Sequence, residues 1–493
     1  MEGGALGLLK FLGPQIPSLT TTAASHAIGL APNSAKWDLR TTLTVSVLRN
    51  IMTGNGGKPS PVGKTQALTL KDPGVKGKMW VAKATFAAPS SEEEGLREAV
   101  FGAIDQMKEG EVNYTKPHLA DIEVEWTGYR PNAGKEEGLP DISEEEKYAK
   151  MLAEPTRTGE TVLLYFHGGA YYLCDPSTFR AVCSRVAKET NGIVCNTRYR
   201  LAPQAAFPSQ LLDALQTYLT LLHPPPNSLH KPIPASNIVL GGDSAGGNLA
   251  FALLQLLLQL QRTAPANTTP TITFHGRQVT APLPAGCTAN SGWFDITRSM
   301  PSITINARYD YLPPANHDSD ALSRFPPDEI WPAKPPRGDL FCDLSLLTHP
   351  LVSPMLAKSW ENSPPMWLST GQEMLSDEDK ILAARAAGQG VQVVYEEYEA
   401  MPHCFSMLLP ALQTSDRAMS SWASFCKRAV EAPGEVKGAG VWVEAKTGRE
   451  ERVEVDKIAP VEWEEVTRLA QDARSRRVKG YEKEGKGLPK PAL

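Results

Sequence analysis

From residue 161 onward, short continuous apolar runs, "TVLLYF", "GIVCNTRY", "NIVLGG", "PPMWLSTG" and "VQVVYEEY", alternate with stretches at 177–191, 208–222 and 377–388 that carry helical patterning. Runs without polar alternation are strands buried on both faces. The interleaving therefore predicts an α/β fold, a mostly parallel central sheet with helices on both faces. Upstream, Trp37, Leu39, Leu43, Val47, Leu48 and Ile51 fall at roughly helical spacing, and "NGGKPSP" stops the pattern. Two alternating runs, "KGKMWVAKATF" and "LADIEVEWTGYR", read as strands on either side of an acidic, helical insert at 91–109.

Two regions depart from the alternation. Residues 298–350 are too long and Pro-rich for a plain crossover, and read as an insertion over one edge of the sheet. After about residue 430 the chain turns Lys/Glu-rich, with a hairpin in "VWVEAKTGREERVEV" and a helix near 462–479. Its charge pattern reads as solvated surface. The organisation expected is 1–60 as an N-terminal helical segment, 61–430 as an α/β core containing the 298–350 insertion, and 431–493 as a charged C-terminal extension.

Composition narrows the class of partner. A formal charge of −5 on 493 residues gives no basic footprint for nucleic acid. Seven scattered cysteines lack the paired CxxC spacing of a zinc or redox site and fit reduced thiols. The N-terminal run has no basic n-region and is broken by Lys10, Gly13 and Pro14, and the Leu-rich 249–260 stretch is too short to span a bilayer. A cytoplasmic location and a buried helix are the expectations.

Chemistry enters at Gly242-Asp243-Ser244-Ala245-Gly246, a GxSxG between an apolar run and a helical one. That pattern turns sharply from strand to helix and exposes the serine hydroxyl. A nucleophilic serine needs N–H donors where negative charge develops on the tetrahedral intermediate. "HGGAY", after the 161–166 strand, offers Gly168, Gly169 and Ala170, and Ala245 adds a donor beside the serine. His167 in that loop reads as a structural hydrogen-bonder. For an elbow serine the partners follow in the order acid, then histidine. His403, in the loop after "VQVVYEEY", fits as base, while His349 precedes the "PPMWLSTG" strand and reads as structural. The acid belongs after that strand, where "GQEMLSDEDK" offers Glu373, Asp377, Glu378 and Asp379. Glu373 comes first after the strand; Ser376 and Asp377 read as N-cap residues, with Asp377 the alternative acid.

Together "HGGAY", "YRLAP", "GDSAGGNLA", "GxExLSDE" and "MPHCF" resemble the hormone-sensitive-lipase-like branch of the α/β-hydrolase superfamily, serine esterases with a cap over the active site. The resemblance covers about residues 60–430. It implies an α/β-hydrolase fold, Ser244 as nucleophile, His403 as base, and Gly168, Gly169, Ala170 and Ala245 as oxyanion loop and donors. Glu373 stands where most relatives have aspartate, Ala170 where a third glycine is commoner, and Gln204 where "YRLAPE" has glutamate. The N-terminal helix and the 298–350 insertion are implied to be cap.

The expected activity is hydrolysis of a small-molecule carboxylic ester through an acyl-enzyme, with no metal or organic cofactor. Amide hydrolysis, acyl transfer or a natural-product tailoring step would use the same serine, and a non-catalytic small-molecule receptor is the reading from another class. Trp37, Tyr171, Tyr172, Trp293, Tyr309 and Trp331 are candidate aromatic linings of the substrate pocket. The sequence leaves oligomeric state open. Activity is expected to fall as His403 protonates, near the ordinary imidazole pKa of roughly 6.5.

Overall fold

The computed structural model describes residues 16–54, 59–90, 93–314 and 325–484. The N-terminal run of the first fifteen residues and positions 315–324 of the insertion lie outside the described residues. The described residues begin with three helices: α1 (Ile16–Ala27), α2 (Leu39–Thr53) and α3 (Val62–Thr69). Asp38 starts α2 by accepting the Thr41 N–H at 2.7 Å, and Gly54, at φ 73°, ends it. β1 (Met79–Phe86), α4 (Gly95–Met107), β2 (Ile122–Tyr129) and α5 (Glu144–Leu152) follow, with β1 and β2 antiparallel.

The alternating region forms β3 (Val162–Phe166), α6 (Arg180–Thr190), β4 (Ile193–Thr197), α7 (Ser209–Leu222), β5 (Ile238–Ser244) and α8 (Ala245–Thr263). A small separate hairpin, β6 (Thr271–Phe274) and β7 (Arg277–Thr280), precedes β8 (Gly286–Gly292) and the short α9 (Ser302–Ile305). Then come β9 (Met366–Gly371), α10 (Ser376–Gly388), β10 (Val393–Tyr398), α11 (Phe405–Leu408) and α12 (Gln413–Glu431). β11 (Ala439–Val443), β12 (Glu450–Val453) and α13 (Trp463–Glu484) close the chain.

Ten strands form one sheet in the order β1-β2-β4-β3-β5-β8-β9-β10-β11-β12. Every neighbouring pair from β4 to β11 is parallel, and antiparallel pairs finish both edges. The two-residue period of a strand divides the core. Val162, Leu164 and Phe166 pack with α7 and α8, while Leu163 and Tyr165 pack with α6 and α12 against Val186, Trp422 and Phe425.

β8 carries no strand signature, because "GCTANSG" is small and polar, yet it lies between β5 and β9 and is buried throughout. Small residues let the flanking helices come close. A Cβ on Gly286 would sit 3.2 Å from the Phe425 ring, and the Trp422 indole N–H donates to Thr288 Oγ1 at 2.9 Å. The C-terminal region also differs from the solvated surface its charges imply. β11 pairs in parallel with β10, β12 returns beside it, and α13 buries Val466, Ala470 and Ala473 while Arg477 pairs with Asp339 of the insertion. Val436, Val443 and Val455 of this segment are buried as well, so the exposed charges that dominate its sequence cover a packed inner side.

Near the β1–β2 edge, Arg180 at the start of α6 makes two hydrogen bonds to Glu125 of β2, at 2.6 and 2.7 Å, and two to Asp72, at 2.5 and 2.8 Å. Both Arg180 and Glu125 are buried. Removing one partner of such a pair leaves an uncompensated charge inside the protein. Arg180→Ala is expected to destabilise the fold by about 3–5 kcal/mol. Asp72→Asn, at an exposed position, is expected to cost markedly less, both read as shifts in a urea unfolding midpoint.

Candidate active site

Ser244 ends β5 and α8 begins at the next residue. Its backbone stands at φ 51° and ψ −121°, a conformation rarely adopted by a side-chain-bearing residue. The flanking glycines make that turn fit. A Cβ on Gly246 would lie 1.9 Å from the Phe166 carbonyl oxygen, and one on Gly242 would lie 2.3 Å from the Gly246 carbonyl carbon. Strand, elbow and helix thus touch backbone to backbone, with the serine at the crest.

The loop after β3 runs beside this elbow and is held by Asp243. One carboxylate oxygen accepts the Gly168 N–H at 2.9 Å and a short hydrogen bond from the Tyr165 hydroxyl. Burial raises the Asp243 pKa to about 6 against the opposing effect of these donors. Gly168 is therefore not a free oxyanion donor: its N–H is bonded to Asp243, and it is glycine because a Cβ would meet that carboxylate at 2.2 Å. Beyond it the chain enters positive φ at Gly169 (110°), Ala170 (51°) and Tyr171 (65°). Among the described residues no acceptor pairs with the N–H groups of Gly169, Ala170 or Ala245. His167 is buried, stacks on Tyr199 at 4.4 Å, and bonds through Nδ1 to the Gly168 carbonyl at 2.8 Å. Burial lowers its pKa to about 4, so it is a neutral brace of this loop.

His403 follows β10 and Glu373 follows β9, so adjacent parallel strands deliver both to the same edge of the sheet. His403 Nε2 lies 2.9 Å from Ser244 Oγ, and Nδ1 lies 2.5 Å from Glu373 Oε2. Glu373 also accepts from Thr370 Oγ1 at 3.0 Å. The base loop is pinned from behind, where Ser291 Oγ accepts the Cys404 N–H at 3.0 Å. Asp377, the alternative acid, points elsewhere: Oδ2 accepts the Ser302 N–H at 2.8 Å and Oδ1 faces Lys380 at 3.7 Å. It is a first-turn residue of α10, whose N-cap is Leu375. Glu378 and Asp379 likewise accept the N–H groups of Asp295 and Gly292. Three acids at one helix start therefore stitch α10 to the end of β8 and the segment after it. His349 is a structural residue, bonded to the Ile104 carbonyl at 3.0 Å and to the Leu351 N–H at 3.1 Å.

Residues 163–407, which hold all of these groups, match the family model described as the alpha/beta hydrolase fold. The chain has the α/β-hydrolase fold, and this segment is similar to esterase/lipase-type hydrolases of that fold. This hydrolase is 28% identical to an acetyl-hydrolase of Streptomyces hygroscopicus over 276 residues, covering 56% of this chain and 78% of that one. It is 25% identical to an esterase of Acinetobacter venetianus over 265 residues, 54% of this chain and 74% of that one. In architecture it is similar to an esterase from the bacterial hormone-sensitive lipase family, with a TM-score of 0.51 at 20% identity over 80% of this chain and 99% of that one.

Several residues that shape the hydrolase site gave no separate signal in the sequence. Asn248, one turn into α8, accepts from the Tyr171 hydroxyl at 2.7 Å and donates to the Trp293 and Val352 carbonyls at 2.7 and 2.9 Å. Gln66 of α3 donates to the Tyr172 and Ala202 carbonyls and accepts from Gln204 at 2.6 Å, so a leading helix braces the loop after β3. Asp310, inside the Pro-rich insertion, is buried beside Glu373 and His403. Of the aromatic candidates, Tyr171 stacks on Phe341 at 3.8 Å and Trp331 is fully buried, both as packing. Trp37 donates its indole N–H to the Ala400 carbonyl at 2.6 Å and packs with Tyr309. Tyr172 packs against Phe325, and Trp293 is half-buried with its N–H on the Asp295 carbonyl. Among the described residues no helix is long and apolar enough to cross a membrane, and no group of three His, Cys, Asp or Glu side chains is arranged to hold a metal.

The electrostatics of His403 move its titration away from the ordinary value. Burial pulls the imidazolium pKa down, and the negative charges around it outweigh that pull, holding it well above 6.5. Cys404 contributes only as a thiolate, and burial pushes that thiol up to about 12, so at neutral pH the Glu373 carboxylate on Nδ1 carries the effect. With His403 as the base expected from the sequence, which works unprotonated, activity is lost as pH falls through the raised pKa. The acidic limb of kcat/KM is expected above pH 6.5, correcting the value taken from an unperturbed imidazole. Glu373→Gln is expected to move it to lower pH, as measured by pH–rate profiles of both proteins.

Proposed function

We propose that this hydrolase cleaves carboxylic esters through an acyl-enzyme, with Ser244 as nucleophile, His403 as general base and then acid, and Glu373 as the orienting carboxylate. The observation that carries the reading is the unbroken relay from Glu373 Oε2 through His403 to Ser244 Oγ, at 2.5 and 2.9 Å. Ser244 Oγ attacks the ester carbonyl and His403 Nε2 takes its proton. The negative oxygen of the tetrahedral intermediate is met by the unpaired N–H groups of Gly169, Ala170 and Ala245. Collapse expels the alcohol, which receives the proton from His403 and leaves Ser244 acylated. Water, deprotonated by the same ring, then releases the acid and regenerates the serine.

The activities named for the relatives, an acetyl-hydrolase and an esterase, support ester cleavage here. The helices of the 1–60 segment and the 298–350 insertion act as the cap around the substrate. In support, Arg49 of α2 donates to the carbonyls of Arg308 and Asp310, which joins the two pieces. A receptor without catalysis has no use for this relay, whose two short hydrogen bonds are complete.

The test is a series of p-nitrophenyl esters from acetate to long acyl, hydrolysed by the wild type, Ser244→Ala and His403→Ala. Each substitution is expected to reduce kcat by about 10⁵–10⁶, because members of such a unit fail together. A Ser244→Ala protein that retained most of its turnover would overturn the mechanism.

A further inference from the structure

The relay accounts for one of the buried carboxylates around His403, and Asp310 is another. Asp310 lies in the insertion, ahead of residues 315–324, and is 1% exposed. Its Oδ2 accepts the Met374 N–H at 2.9 Å, and Oδ1 accepts from the N–H groups of Tyr311 at 2.7 Å, Leu312 at 3.3 Å and His403 at 3.4 Å. Met374 is the residue after Glu373. One carboxylate therefore ties the insertion, the acid loop and the base loop together. Asn306, four residues earlier, adds a second tie by donating to the Glu373 carbonyl at 3.1 Å and to Ser376 Oγ at 3.0 Å.

No guanidinium or ammonium pairs with the Asp310 carboxylate among the described residues. Arg49 comes nearest from α2, but its hydrogen bonds, at 2.5 and 3.0 Å, go to the Asp310 main-chain carbonyl. The other groups that act on this site are Glu373, Tyr311, Cys404, Asp379 and Asp243, none of which is a cation. What balances a negative Asp310 is the charge of Arg49, which acts on it without a direct ion pair, and the imidazolium of His403 itself, which exists once the ring has taken the serine proton.

We propose that Asp310 is a positioning residue of this hydrolase: its carboxylate locks the loop of Glu373 to that of His403 and gives the transient imidazolium a second negative neighbour. Burial, and after it the charge of Glu373, raise the Asp310 pKa on balance, against the opposing pull of His403 and the Met374 and Leu312 N–H groups. The four backbone donors favour the ionised form, as in other carboxylates that accept several N–H groups. This inference rests on the proposed Ser244, His403 and Glu373 roles, and its test separates the two.

Asp310→Asn keeps size and one acceptor oxygen but removes the charge. On the p-nitrophenyl ester that the wild type turns over best, kcat is expected to fall by about 10- to 100-fold with KM within about threefold, as for a misplaced catalytic group. Loss of a negative neighbour lowers the imidazolium pKa, so the acidic limb of kcat/KM is expected to shift down by roughly half a unit or more. Should the Asn variant fail to fold by circular dichroism, Asp310→Ser, which keeps a small acceptor for the Tyr311 N–H, carries the same expectation. A folded variant whose limb stays in place, whatever its rate, overturns the inference and leaves Asp310 as packing. A Ser244→Ala control that keeps its turnover would instead overturn the underlying mechanism.

Discussion

The role proposed for His403 requires it to be neutral as it accepts a proton and positive immediately afterwards, and the interior in which it lies penalises the second state. The architecture of the site follows from resolving that conflict. Moving a charge out of water is expensive unless it is paired and hydrogen-bonded. Glu373, fully buried and held on Nδ1, supplies the pairing, and Thr370 satisfies its other oxygen. Parallel pairing of β9 with β10 makes the arrangement possible, because both chains leave the sheet at the same edge. An antiparallel pair would have sent the acid and the base to opposite ends.

The same constraint explains why the leading helices and the insertion are so closely tied to the catalytic centre. The loops after β3, β9 and β10 are irregular and would fluctuate if left to themselves. Gln66 braces the first of them, Asp310 spans the other two, and Trp37 fastens the Ala400 carbonyl just ahead of His403. Lys36 adds an ion pair with Glu399 at 2.6 Å. Leading helices, insertion and site are one hydrogen-bonded network, so a sequence change in either segment acts on the geometry of the relay.

Much of this was legible in the sequence because it is written in residue types with a single physical use. Gly242 and Gly246 around Ser244 mark a backbone contact that no side chain permits, and the buried strands β3, β4, β5, β9 and β10 read as continuous apolar runs. β8 was not legible, since close helix packing selects small residues that look like a loop. Gly168 was read as a donor because a glycine shows only that something approaches closely, not whether that neighbour is substrate or Asp243. Asp310 had no signal at all. Its importance comes from three segments meeting at one carboxylate, and such a meeting is a property of the folded chain alone.

The placement of β11 and β12 beyond β10 bears on what constitutes the unit of this protein. Residues 163–407 carry the inherited family pattern, but they end before the strand that covers β10, the one from which the base loop departs. Glu399, in the approach to His403, donates its N–H to the Val443 carbonyl at 2.9 Å. A boundary of ancestry and a boundary of folding thus fall in different places. Any fragment cut to the first would present an open sheet edge directly beside its own chemistry.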